Sequence, residues 1–306
     1  MKTKKIVIAG GSGFLGTILA KKYLALGFEV VVLSRGYKVD QGNLRFVQWN
    51  FKQNGYWIKE LEGAEMLINL TGKSVDCRYN AENKKEIYAS RLDSTFALGN
   101  ALEKLDHPPK IWINAASATI YRHAEDRDMD ESTGELGEGF SVDVCKKWER
   151  AFFSFEISGV RQVAIRTGIV LGKSGGAFLP LKFLAKIGLG GRFGNGRQFF
   201  SWIHEHDFAE AVELIRNSGH LNGPINITSP NPIPNEKFMK LLSKAMEMPI
   251  RLPHAKWQLE IGAKLIRTET ELLLKSRRVV PKVLTDIGFR FRFPEFEAVV
   301  MDLVRS

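Results

Sequence analysis

The sequence predicts an α/β fold: a doubly wound parallel sheet of the Rossmann type with a smaller C-terminal substrate lobe. Three observations carry this. The first 35 residues read as strand, glycine loop, helix, strand. Short apolar runs then alternate with helical segments as far as about residue 228. Finally, 306 residues at 44% hydrophobic content suffice for one large domain with an appended lobe.

The run Ile6–Ala9 forms the first strand and enters the loop Gly10-Gly11-Ser12-Gly13-Phe14-Leu15-Gly16. Leu15, Ile18, Leu19, Tyr23 and Leu26 follow at helical spacing until Gly27 stops the helix. A second apolar run, Glu29–Leu33, ends in Ser34-Arg35. Such a unit sets a pyrophosphate on a helix N-terminus. Gly10 allows the tight turn out of the strand, Gly13 lets the backbone approach the phosphates, and Gly16 brings helix against strand. Phe14 and Leu15 open the helix and join Gly10 and Gly13 as candidate cofactor contacts. The spacing is GxxGxxG, a variant of the commoner GxGxxG.

The end of the second strand selects the cofactor. An acidic residue there accepts from the adenosine ribose hydroxyls and suits NAD, whereas a cation suits the 2′-phosphate of NADP. This chain has Ser34-Arg35 and no acidic residue until Asp40. A guanidinium can grip a phosphate with two parallel hydrogen bonds, and Ser34 offers a hydroxyl donor. NADP(H) is therefore the expected cofactor.

Further strands are predicted at Phe46–Trp49, Met66–Leu70, Ile111–Ala115, Val163–Val170 and Ile225–Thr228. Helices are predicted around Glu82–Leu105, ended by His107-Pro108-Pro109, and around Val142–Phe155. Lys173–Arg197 is glycine-rich and reads as cleft-edge loops around a short helix. Asn235 is placed to cap a helix reaching about Met246, and another helix is predicted near Trp257–Lys275. The expected division is a cofactor domain over 1–172, with the strand near 225–228 returning to its sheet. Residues 173–306 then form mostly a substrate lobe, of which 231–306 is the C-terminal domain.

The formal charge of +10 and a pI of about 9.5 raise nucleic acid as a partner. The positive residues are dispersed, no recognition motif accompanies them, and an acidic stretch runs from Glu125 to Glu138. A small-molecule substrate is expected instead, with no nucleic acid and no membrane as partner, in a monomer or homodimer. Cys77 and Cys145 make neither a disulfide framework nor a metal-ligand pattern. The apolar run after the basic N-terminus is too short for a signal segment, no run approaches membrane-spanning length, and a cytoplasmic location is expected.

Taken together, several segments resemble the extended short-chain dehydrogenase/reductase superfamily. Within it the likeness is to the atypical NADP-binding group called "epimerase family protein", with a C-terminal domain of unknown function. The markers are Gly10–Gly16, Ser34-Arg35, Asn69-Leu70-Thr71-Gly72 and Glu86-Ile87-Tyr88-Ala89-Ser90-Arg91. Further along come Arg166-Thr167-Gly168-Ile169-Val170-Leu171-Gly172, Gln198–His204, Gly223-Pro224-Ile225-Asn226, Arg278-Val279-Val280-Pro281 and Gly288-Phe289. The resemblance implies that Leu70, Thr71 and Gly72 contact the cofactor at a strand end. It implies that Glu86 and Arg91 lie near it, that the Val170 backbone approaches the nicotinamide side, and that Trp202 and His204 face the substrate.

Enzymes of this superfamily commonly use a Ser or Thr with a Tyr and a Lys spaced YxxxK, the Lys lowering the Tyr pKa. Ser117 matches the serine, but alignment on Trp148-Glu149 puts Ser141 and Cys145 where Tyr and Lys should stand, and no YxxxK occurs in the chain. Tyr121 is the nearest phenol in sequence to that site and is named as a stand-in general acid beside Ser117. His204-x-His206 with Asp207 lacks a third metal ligand of matched spacing, so no metal is expected. The expected function is an NADP(H)-dependent oxidoreductase acting on a small carbonyl or hydroxyl compound. A nucleotide-sugar epimerase or dehydratase, and a non-catalytic NADPH-binding sensor or scaffold, stay open as alternatives.

Overall fold

Lys5–Ala9 (β1) runs through the middle of a seven-stranded sheet and sends alternate side chains to opposite faces. Ile6 and Ile8 enter one apolar core, Val7 and Ala9 the other. The other strands of this sheet are β2 (Glu29–Ser34), β3 (Leu44–Gln48), β4 (Met66–Asn69), β5 (Ile111–Ser117), β6 (Arg161–Thr167) and, after four short strands, β11 (Gly223–Ile227). Their order is β11-β6-β5-β4-β1-β2-β3, every neighbouring pair parallel. The computed structural model describes residues 4–51, 55–255, 260, 269 and 271–305.

Helices cover both faces. The helix α1 (Phe14–Ala25) buries Leu19 and Tyr23 with Phe208 and Val212 of α6 (Glu205–Asn217) in the core that holds Ile6. On the other face, α3 (Ala81–Leu102) and α4 (Phe140–Phe152) bury Leu98, Leu102 and Phe152 against Trp112 of β5. Asn80 caps α3 by accepting from the Asn83 amide at 2.8 Å. Strand order reverses between β1 and β4, so a crevice opens at their carboxyl ends, the place where such folds bind ligands.

The single strand expected over Val163–Val170 is in fact two. It breaks at Gly168, where a Cβ would come 2.6 Å from the Ser201 carbonyl, and the chain crosses into a second sheet. That sheet joins β7 (Ile169–Gly172) to β8 (Gly175–Gly176) and β10 (Trp202–His204), while β9 (Phe199–Phe200) pairs with β12 (Ile233–Pro234). A separate core fills the lobe with Phe178 and Leu181 of α5 (Phe178–Lys186), Phe238 and Leu242 of α7 (Asn235–Ala245), and Phe296 and Val299 of the helix Phe296–Arg305.

Asn235 does not cap α7 as expected. It lies fully buried inside the helix, and its Oδ1 accepts from the Phe193 amide at 2.7 Å, fastening the preceding loop. The C-terminal residues also return to the main sheet, because Leu284 of the helix Lys282–Asp286 joins the core around Ile6. Most of the helix expected near Trp257–Lys275 lies outside the described residues; Glu271–Leu274 is helical. Among the described residues, no helix is long and apolar enough to cross a membrane.

Candidate cofactor and substrate site

The loop after β1 is a fitted turn. Gly10 has a φ of +73°, its amide donates to the Leu33 carbonyl at 2.8 Å, and a Cβ on it would lie 2.9 Å from the Thr71 backbone. A Cβ on Gly16 would collide with Gly11, so helix and loop approach as closely as backbones can. Gly13 differs: its φ is −85°, it is exposed, and a Cβ would meet nothing nearer than 4.0 Å. Its need for glycine therefore does not arise within the protein. It opens α1, whose first turn has no side-chain cap and no acidic residue, leaving its N–H groups and the positive end of the helix dipole for an anion. The Phe14 ring lies against the β7–β8 hairpin, where added Cβ atoms at Gly172, Gly175 and Gly176 would stand 2.7, 2.6 and 2.9 Å from it. These three hairpin glycines were not singled out from sequence, although their clustering signals a close approach.

At the end of β2 the Arg35 guanidinium is exposed and has no ion-pair partner among the described residues. Ser34 is buried, and its hydroxyl donates to the Gly36 carbonyl at 2.8 Å. It shapes the turn that presents Arg35 and does not supply the free donor expected of it. Across the crevice, Leu70 donates its amide to the Ala9 carbonyl at 2.8 Å, and Asn69 Oδ1 accepts from the Thr71 amide at 3.0 Å. Asn69 is itself held by Asn114 at 2.8 Å, a buried amide pair that sequence reading missed. The Thr71 hydroxyl is buried without a hydrogen-bond partner among the described residues.

Gly72 lies against Arg91, with a Cβ position 3.2 Å from its Cζ. Arg91 donates to the Lys73 and Ile87 carbonyls, both at 3.1 Å, and its Cζ stands 5.0 Å from the Trp148 ring centre. Burial lowers its pKa. Glu86 is exposed on α3 and pairs with Lys73. An orphaned Thr71 hydroxyl, an uncapped helix start, a free Gly13 face and an unpaired Arg35 together fit a dinucleotide carrying an extra phosphate.

The family model described as "NAD dependent epimerase/dehydratase family" matches residues 6–228. The chain belongs to that family. A second model, "Domain of unknown function (DUF1731)", matches residues 256–303. Epimerase family protein YfhF of Bacillus subtilis is 32% identical, covering 98% of this chain and 97% of its own length. Epimerase family protein SDR39U1 of Mus musculus is 31% identical, covering 98% and 99%. The crystal structure of human epimerase family protein SDR39U1 with NADPH superposes with a TM-score of 0.86 at 27% identity, over 99% of each chain.

In this epimerase-family chain the Ser117 Oγ, half-buried at the end of β5, accepts from the Thr119 amide at 3.2 Å and keeps its own proton free to donate. Ser141, in the first turn of α4, donates to Glu271 Oε2 at 3.2 Å and lies 3.4 Å from the Tyr79 hydroxyl. Cys145, one turn on, is buried, and burial pushes its thiol up to about 12. Neither Ser141 nor Cys145 restores an activated phenol.

Three expected site residues are instead structural. Tyr121 is fully buried; its hydroxyl donates to Asn226 Oδ1 at 3.0 Å and accepts from Arg166 Nη1 at 2.8 Å, so it has no route to act as the acid. Trp202 is fully buried against Phe296, its indole N–H donating to the Asn231 carbonyl at 3.1 Å. His204 is 4% exposed, stacks on Phe293 with ring centres 4.0 Å apart, and caps α6 by accepting at Nδ1 from the His206 amide at 3.0 Å. Both side chains are enclosed within the protein. Val170 packs its side chain in the core and pairs with Ile203 of β10. Among the described residues no group of His, Cys, Asp and Glu could hold a metal. A groove of about 510 Å³ on the C-terminal lobe, between Glu125, Arg197 and Lys237, shares none of its lining with the nucleotide loop.

Proposed function

We propose that this epimerase-family chain binds NADP(H) and acts as an oxidoreductase of the atypical extended short-chain type on a small carbonyl or hydroxyl compound. The observation that carries the reading is Arg35: an exposed guanidinium without an ionic partner among the described residues, at the strand end where such folds choose their cofactor. The NADPH in the human relative's structure supports it. The amides at the start of α1 receive the pyrophosphate, Arg35 takes the 2′-phosphate, and the turn Leu70–Gly72 lies along the opposite side. When bound, the cofactor supplies or accepts a hydride. Ser117 donates its free proton as a hydrogen bond to the substrate oxygen and polarises it.

Calorimetric titration of the purified chain with NADPH and NADH tests the reading. Binding with a clear preference for NADPH supports it; binding of neither refutes it. The family match favours a second reading, a nucleotide-sugar epimerase or dehydratase that keeps its cofactor, and recovery of tightly bound NAD⁺ from the pure protein would favour it. The absent Tyr/Lys pair favours a non-catalytic NADPH sensor or scaffold. Tight NADPH binding with no oxidation by a panel of aldehydes, ketones and quinones would favour that reading.

A further inference from the structure

Two guanidinium environments stand out in this chain: Arg166 is buried, whereas Arg277 and Arg91 are half-buried. Arg166 is neutralised by both oxygens of Glu149 at 2.8 Å. Arg277 has no such partner among the described residues. Its Nη1 reaches only the Ser276 carbonyl at 3.4 Å, and its Nε is sealed from solvent without an acceptor. Glu271, whose charge reaches Arg277, is committed to the Ser141 hydroxyl at 3.2 Å and to Lys275 at 3.3 Å. Arg91 likewise has carbonyls and a Trp face but no carboxylate. Both arginines act electrostatically on the Cys145 thiol of α4, one turn on from Ser141.

A half-buried cation without a counter-ion gives up part of its hydration, and this desolvation pushes the Arg277 pKa down to about 10. A fork of N–H donors kept under such conditions matches a planar or tetrahedral oxyanion. We propose that Arg277 anchors an anion-binding subsite beside the first turn of α4, and that the substrate carries a carboxylate or phosphate group which this guanidinium grips. Arg91 contributes the second positive charge to the field there. Naming the anion as part of the substrate rests on the oxidoreductase reading; the anion site itself does not.

The test uses the full chain saturated with NADPH, titrated with inorganic phosphate and separately with malonate at constant ionic strength. At least one anion is expected to bind and to raise the melting temperature. Arg277→Gln is expected to weaken that binding at least about tenfold, the loss of one charge-assisted contact, and Arg277→Lys to keep part of it. In anion-free buffer Arg277→Gln should melt no lower than the parent chain, because it deletes a half-buried charge that has no carboxylate partner among the described residues. Phosphate alone binding indicates a phosphorylated substrate; malonate alone indicates a carboxylate. The proposal is overturned if neither anion binds, if Arg277→Gln binds them as the parent does, or if that variant melts lower without anion. Should NADPH fail to bind while Arg277-dependent anion binding persists, the cofactor reading falls and the subsite stands.

Discussion

Arg166 and Glu149 meet as a two-point ion pair inside the core: Nε donates to Oε1 and Nη2 to Oε2, both at 2.8 Å. Arg166 is 7% exposed and Glu149 8%, and the remaining Nη1 is taken by the Tyr121 hydroxyl at 2.8 Å. The arrangement ties α4 to β6 and explains why Tyr121 is a structural phenol. Breaking it from one side leaves a buried guanidinium without its carboxylate. Glu149→Gln is expected to cost about 3–5 kcal/mol in urea denaturation, and Arg166→Met with Glu149→Leu to recover most of that loss. A loss below about 1 kcal/mol for the single variant would place the pair among weak surface bridges.

The two loop glycines separate folding from binding. An alanine at Gly16 must push its methyl into the Gly11 backbone, so Gly16→Ala should destabilise the unliganded protein by about 1–3 kcal/mol. Gly13→Ala meets nothing within 4.0 Å and should leave thermal stability within about 0.5 kcal/mol. It should still weaken NADPH by about tenfold or more, because on the proposed reading the pyrophosphate approaches the face that the methyl would occupy. Melting curves and calorimetry on the same two proteins check both halves. Equal loss of stability in the two variants would contradict the reading of Gly13.

What the sequence disclosed and what it hid follow one physical rule. The glycine loop was legible as a turn because its signals are local: Gly10 and Gly16 act through a positive φ and a close helix approach a few residues away. Tyr121 and Trp202 were misread because their surroundings are assembled over long separations. Asn226 lies 105 residues from Tyr121, and Asn231 lies 29 from Trp202. Strand periodicity across Val163–Val170 could not show that Gly168 passes the Ser201 carbonyl and changes sheets. Likewise Arg277 reads as one more residue of a basic cluster until its Nε is found sealed without an acceptor.

Cofactor preference should invert with one substitution. On the proposed reading, Arg35→Asp replaces a phosphate-gripping guanidinium by a carboxylate that repels the 2′-phosphate and can accept from ribose hydroxyls. NADPH binding should fall by about 1.5–3 kcal/mol, roughly ten- to hundredfold, while NADH binding holds or improves. Since Arg35 is exposed and unpaired, folding should be unaffected. Calorimetric titration with both dinucleotides reads the change, and equal losses for the two would remove Arg35 from the choice.

His204 gives the fold an acid limit. Its Nδ1 accepts the His206 amide at 3.0 Å, which only the unprotonated nitrogen can do. Burial lowers its pKa below 6.5, outweighing the opposing charges of Asp302, Glu205 and Asp207. The unfolded chain therefore binds more protons than the folded one below about pH 6.5, and stability drops as pH falls through that window. Above it, both states hold a neutral imidazole and this contribution is flat. His204→Asn keeps a capping acceptor at the start of α6 but cannot titrate, so its denaturation midpoint should fall less steeply between about pH 6.5 and 5. If parent and variant lose stability in parallel over that range, protonation of His204 is not what weakens the fold.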